Sequence, residues 1–267
     1  MATVLAAFAS GLVVALLVTG IARLFTDSLA LGFLLGELGL LGGVLLYLVA
    51  SGRAVGRALR LRRAPRAAYP LALRLGLALV VANLAATVIL GPPVSDIQFL
   101  AEARTTAERL VLAVGVALAA PVIEEALFRG LLQGVLEARL RHWYAIAAAG
   151  LPFALLHGPD PALFFFFWSL PVGWVTWRSG SIWPAVVVHA VNNTLGVVGL
   201  FATRPIEPEA VEQGPGELGI AALLLVAAAL WAVRLCTRIG EVAGERPVAG
   251  VAKAGAQVAG RARNNPE

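Results

Sequence analysis

Apolar residues run in blocks along this chain, and the blocks have the length that a bilayer demands. A hydrocarbon core about 30 Å thick needs a helix of roughly 17 to 25 residues. Eight such stretches are legible, at 4–22, 29–50, 71–91, 110–136, 143–157, 161–177, 182–201 and 218–236. The fifth and sixth are short, and the turn Gly158-Pro159-Asp160-Pro161 separates them. The first lacks a basic leader and is longer than a signal-peptide core, so it is read as a membrane helix. The predicted fold class is all-α: a polytopic membrane helix bundle of about eight transmembrane helices.

Composition supports this. Of 267 residues, 59% are hydrophobic and 14% charged, against roughly half and a quarter in a soluble domain. There is too little polar side chain to cover a water-facing globule, and too much hydrophobicity for a disordered segment. The lone Cys236 can form neither an internal disulfide nor a cysteine-based zinc cluster. A net charge of +5 would suit a nucleic-acid binder if it formed a patch, but the charges sit between the apolar blocks. Threading eight spans with the N-terminus in the cytoplasm puts 16 of 21 Lys and Arg on the cytoplasmic side, as the positive-inside rule requires. Both termini are then cytoplasmic. The run Arg53, Arg57, Arg60, Arg62, Arg63, Arg66 reads as a topology signal that also touches anionic headgroups, and no nucleic-acid partner is expected.

Ionisable groups inside spans carry the chemistry, because each costs a few kcal/mol or more in hydrocarbon. Glu37 sits alone in the second span, Glu124, Glu125 and Arg129 lie in the fourth, His157 ends the fifth and His189 lies in the seventh. Glu125 and Arg129, four apart, share a helix face, and Glu124 lies about 100° round from Glu125. His189 and Asn193 are likewise four apart. A rise of about 1.5 Å per residue puts Glu124 roughly 18 Å, His157 roughly 22 Å, His189 roughly 10 Å and Asn193 roughly 16 Å from the cytoplasmic ends of their helices. All four fall in one slab and could meet in one cavity, reached most easily from the cytoplasmic side. The stretch Phe164-Phe165-Phe166-Phe167-Trp168 reads as a lipid-facing or helix-packing surface. Trp174, Trp177 and Trp183 flank the Arg178 turn and fit a cytoplasmic aromatic belt, and the glycines and alanines of the fourth and seventh spans fit close helix packing.

The ordered set Glu-Glu-x-x-x-Arg (Glu124, Glu125, Arg129), Phe-x-x-x-His (Phe153, His157) and His-x-x-x-Asn (His189, Asn193) on successive spans resembles the CAAX-protease and bacteriocin-processing family. This family of intramembrane endopeptidases, also called CPBP or Abi, includes the Ras-converting CAAX endopeptidase and lysostaphin-resistance-type proteins. The resemblance covers about 109–200. It implies a division into N-terminal transmembrane helices with a basic loop (1–108), the catalytic core (109–200), a last transmembrane helix (201–239) and a mobile cytoplasmic tail (240–267).

The resemblance also implies roles. Glu124 activates the attacking water. Glu125 assists it or is held by Arg129, which orients the glutamate pair. His157 positions the water or shuttles its proton, and His189 with Asn193 donates to the oxyanion. Amide hydrolysis independently needs a base beside the water and donors at the developing oxyanion. A metal-free mechanism with no cofactor is favoured; the zinc-dependent alternative places the ion on Glu124, His157 and His189. Expected partners are membrane lipids and a membrane-anchored or prenylated peptide or protein, and the expected location is the cell (inner) membrane. The competing reading is a non-catalytic scaffold or a proton-coupled transporter built on the same buried polar residues.

Overall fold

The computed structural model describes residues 1–91, 103, 105–159, 161–202 and 214–244. Among them the chain is all-helical: α1 (Ala2–Ala22), α2 (Leu29–Ala50), a single turn α3 (Val55–Ala58), α4 (Ala68–Leu90), α5 (Thr106–Glu137), α6 (His142–Leu156), α7 (Ala162–Ser179), α8 (Trp183–Ala202) and α9 (Pro215–Ala243). Long helices thus occupy all eight segments expected to be spans. Five of them, α1, α2, α4, α5 and α9, are long and apolar enough to cross a membrane. The 15-residue α6 is apolar but shorter. The tail expected over 240–267 is helical through Ala243, and its residues from 245 on lie outside the described set.

Local chemistry starts and stops these helices. Ser28 accepts from the Leu31 N–H to cap α2. Thr105 and Glu108 form a reciprocal capping box at the start of α5. Gly180, at φ +60, ends α7 in the left-handed conformation that glycine adopts without penalty. Pro121 lies inside α5 and cannot donate to the turn before it. The helix answers with a π-helical turn at Gly115–Ala119, where the Ala120 N–H reaches back five residues to the Gly115 carbonyl. A second π-turn, Glu125–Leu132, comes one α-turn later.

Small residues set the closest contacts. Gly39 of α2 lies against the backbone of Ala15, and Gly43 lies against the Ser10 carbonyl of α1 with no side chain between them. Ser10 Oγ donates to the Gly43 carbonyl at 2.9 Å. Gly130 of α5 abuts the backbone of Leu59, and Gly76 of α4 abuts Val191 of α8. In α8 itself Gly196 faces open space, so the expectation of glycine-driven packing holds for the fourth span and not for this part of the seventh.

The basic loop does more than mark topology. Arg60 forms a bidentate pair with Glu137 at the end of α5, at 2.6 and 3.1 Å. Arg62 donates to the carbonyls of Ser179 and Gly180, and Ser181 Oγ donates back to the Arg62 carbonyl. Arg178 donates to the Gly240 carbonyl, and Trp183 to the Leu61 carbonyl. These bonds gather the loop after α2 and the ends of α5, α7 and α9 into one arginine collar at one end of the bundle. Beneath it, Leu59, Leu127, Phe128, Leu131 and Ile182 are buried in one apolar cluster.

A Cβ at position 43 has nowhere to go, whereas Gly42 faces open space. Gly43→Val should lower the thermal midpoint of the detergent-solubilised protein by the several degrees that about 1–3 kcal/mol of overpacking produces, and Gly42→Val should leave it unchanged; circular dichroism melts of the two variants check this.

Candidate active site

The second π-turn begins at Glu125, and it turns three consecutive chemistries inward. Glu125 and Arg129 are fully buried, at 0% and 1% exposure, with Arg129 Nη1 3.2 Å from Glu125 Oε1. The same carboxylate oxygen accepts from His189 Nδ1 at 2.9 Å, across from α8. The guanidinium lies 4.1 Å from the centre of the Phe153 ring, a cation–π contact that desolvation strengthens. Phe153 also meets Phe128 edge-on at 5.4 Å and His157 at 4.7 Å. One aromatic ring thus seats both the arginine and a histidine.

Glu124 faces a different direction from Glu125, as the helical geometry predicts. Its Oε2 lies 4.0 Å from His157 Nε2 and 3.9 Å from His189 Nε2, and it is buried with no hydrogen-bond partner among the described residues. Both rings are oriented by their other nitrogen. His157 Nδ1 donates to the Phe153 carbonyl at 2.8 Å, and His189 Nδ1 donates to Glu125. Three polar atoms from α5, the tip of α6 and α8 therefore converge on one point. Separations near 4 Å are too long for direct hydrogen bonds and match two groups bridged through one water at about 2.8 Å each. Glu124 and His157 are the open edge of the cluster, with side-chain exposures of 16% and 24%.

Asn193 stands beside the first π-turn. Its Nδ2 donates to the Val116 carbonyl at 2.9 Å, taking up a backbone acceptor of the turn that Pro121 distorts. Behind it, Asn192 Nδ2 reaches Asn193 Oδ1 at 3.4 Å, and Asn83 of α4 donates to Asn192. An amide chain across three helices fixes the orientation of Asn193. One of its two N–H bonds is committed to Val116.

The aromatic run divides between the two surfaces expected of it, and part of its packing face borders the site. Phe165 stacks on His157 at 4.0 Å, and the buried Trp168 meets His189 edge-on at 4.9 Å. Phe165 and Trp168 are three apart and share the inward face of α7, while Phe167 remains 60% exposed. A run of five consecutive aromatics hides this division, and the sequence gives no other signal for it. Trp168 Nε1 is buried without a partner among the described residues. Of the interfacial tryptophans, Trp177 stacks on His142 at 3.9 Å near the arginine collar. Glu37, which belongs to none of the three motifs, lies on the inward stripe Ala30, Leu34, Glu37, Leu41, Val44, Leu48 of α2, and its Oε2 is also buried with no hydrogen-bond partner among the described residues.

Glu124, His157 and His189 form the donor set suited to zinc, but tetrahedral ligands at about 2.0–2.1 Å from a shared ion sit only ~3.4 Å apart. Among the described residues no group of three His, Cys, Asp or Glu has metal-holding geometry.

Burial makes the Glu125–Arg129 pair a requirement of the fold. Arg129→Met should cost about 3–5 kcal/mol by stranding Glu125, seen as loss of monodisperse protein on size exclusion. Adding Glu125→Gln to Arg129→Met should restore much of that yield, and failure to do so would show that Arg129 acts through packing on Phe153 instead.

The chain matches no curated protein and no solved structure. Residues 106–195 match the family model described as type II CAAX prenyl endopeptidase Rce1-like. The match opens at the first residue of α5 and ends two residues past Asn193, so it contains all three motifs. With its five long apolar helices, the chain is an integral membrane protein, and over residues 106–195 it is similar to the Rce1-like type II CAAX prenyl endopeptidases.

Proposed function

We propose that this protein is a glutamate-dependent intramembrane endopeptidase that cleaves a membrane-anchored or prenylated peptide or protein. The observation that carries the reading is the convergence of His157 Nε2 and His189 Nε2 on Glu124 Oε2, both within 4.0 Å, separations that one bridging water would span. The water donates one hydrogen to Glu124 Oε2 and the other to His157 Nε2, which is an acceptor because Nδ1 carries the proton given to Phe153. As the water oxygen bonds to the substrate carbonyl carbon, its proton passes to Glu124 and the carbonyl π pair moves onto oxygen.

His189 receives that oxyanion through an Nε2–H while its Nδ1–H remains on Glu125. An imidazolium here balances the site: Arg129 and His189 carry two positive charges against Glu124 and Glu125. The second N–H of Asn193 supplies a further donor to the oxyanion. Glu124 then returns its proton to the leaving nitrogen as the C–N bond breaks, giving an acid and an amine. All eight long helices are spans in this reading, with the arginine collar and both termini cytoplasmic and the cell (inner) membrane as the location. A zinc ion, if bound, would be held by Glu124, His157 and His189 and would supply Lewis acidity to a water or carbonyl oxygen.

Glu124→Gln should keep the fold, judged by size exclusion and melting, and reduce cleavage by at least ~10²-fold, the low end of what a general base contributes; a variant that cleaves at the wild-type rate would remove the proposal. His189→Ala should cost ~10²–10³-fold in turnover as an oxyanion donor. Dialysis against a chelator should leave turnover intact, with metal content followed by mass spectrometry. Loss of activity that zinc alone restores would replace the glutamate mechanism with a metal one.

A further inference from the structure

Helix α2 runs alongside α5 in the same direction: Phe33 and Leu34 pack on Gly115, and the chain just beyond α2 reaches Gly130 through Leu59. One turn past Phe33, on the same inward stripe, stands Glu37. It is therefore level with the π-turn Gly115–Ala119, on the side of Glu124 away from the arginine collar and facing the stretch of α5 that Asn193 grips from α8. At about 1.5 Å per residue, five or six residues separate its level from Glu124, or roughly 8 Å along the helix. The two carboxylates lie within electrostatic range of one another.

No cation among the described residues meets Glu37. The buried Arg129 is engaged by Glu125, and the arginines of the collar sit at the other end of the bundle, beyond Leu59 and Phe128. The stripe that Glu37 interrupts is otherwise apolar, so hydrophobic packing does not explain a carboxylate there. A buried carboxylate persists where it is paired, hydrated or useful, and here the missing charge is positive.

Resting on the proteolytic reading above, we propose that Glu37 is a specificity-determining residue that pairs with a lysine or arginine side chain of the substrate while Glu124 attacks the neighbouring peptide bond. An extended peptide rises about 3.3 Å per residue, so a group roughly 8 Å from the scissile carbonyl belongs to a residue two or three positions away. The hairpin α6–α7 turns back beside the site. Its tip, at His157, is level with the reacting atoms, while α5 continues past Glu124 for 18 residues to Thr106. The substrate class is therefore an apolar, membrane-embedded peptide with one basic residue two or three positions from the cut.

Quantitative peptidomics of membranes carrying wild type, Glu124→Gln or Glu37→Gln tests this. Peptides that vanish with Glu124→Gln define the substrates. The expected result is a Lys or Arg two or three residues from their cleavage sites, and at least a ~10-fold fall in those products with Glu37→Gln, the minimum for removing one partner of a buried charge pair. A substrate carrying Lys→Gln at that position should be cut by wild type as slowly as the parent substrate is by Glu37→Gln, a comparison that does not depend on how well the Glu37 variant folds. Cleavage sites without a basic neighbour, no fall with Glu37→Gln, or an undiminished rate on the Lys→Gln substrate would each overturn the assignment. If Glu124→Gln removes no peptide, the proteolytic reading fails, and this one fails with it.

Discussion

An arginine and a glutamate sealed between apolar helices, Arg129 on Glu125, constrain everything else in this molecule. Neither is reachable by water, so each must be satisfied by protein. Glu125 Oε1 takes both Arg129 and His189, and Arg129 lies on the Phe153 ring, while Glu125 Oε2 and Arg129 Nη2 have no hydrogen-bond partner among the described residues. Those contacts tie α5 to α8 and to α6. Phe153 and His157 are one turn apart on α6, so seating the arginine on the first also fixes the second. The placement of His157 and His189 near Glu124 follows from a pair that never touches a substrate.

Helical geometry alone points the two adjacent glutamates at different neighbours, and the π-turns add a free backbone acceptor beside them. In an uninterrupted α-helix, residues 124 and 125 diverge by about 100° and the carbonyls of the preceding turn are all engaged. Pro121 loosens the turn before them, and the widened turn exposes the Val116 carbonyl that Asn193 takes. The proline, the asparagine and the glutamates, far apart in sequence, are thus parts of one local distortion. π-turns concentrate at functional sites because the inserted residue re-aims the side chains of the next turn.

Helix positions were legible because length and apolarity decide them locally: all eight predicted segments are helical, with ends shifted by a few residues. The Glu125–Arg129 pair was legible from a spacing of four. The convergence of Glu124 with both histidines could only be anticipated as a common depth, since the rotation of each helix about its axis is set by partners the sequence does not name. Phe165 and Trp168 were hidden for a related reason. When every neighbour is aromatic, hydrophobicity cannot mark an inward face. The docking of Arg60 and Arg62 was invisible because a basic loop after a span satisfies the topology rule whether or not it folds back. The inward stripe of α2 was present in the spacing of residues 30, 34, 37, 41, 44 and 48, but it carries meaning only once α5 is known to lie along it.

Depth explains why the hairpin α6–α7 had to be short. A 15-residue helix is about 22 Å long, less than the hydrocarbon thickness, so its end falls inside the bundle. Ending at His157, with Gly158 at φ +101 to turn the chain sharply, sets an imidazole 4.0 Å from the Glu124 carboxylate. The same truncation exposes Glu124 and His157 slightly while Glu125, Arg129 and His189 stay sealed. Glu124 and His157 thus form the open edge of the cluster, and the groups that orient them lie behind, where low dielectric strengthens their hold.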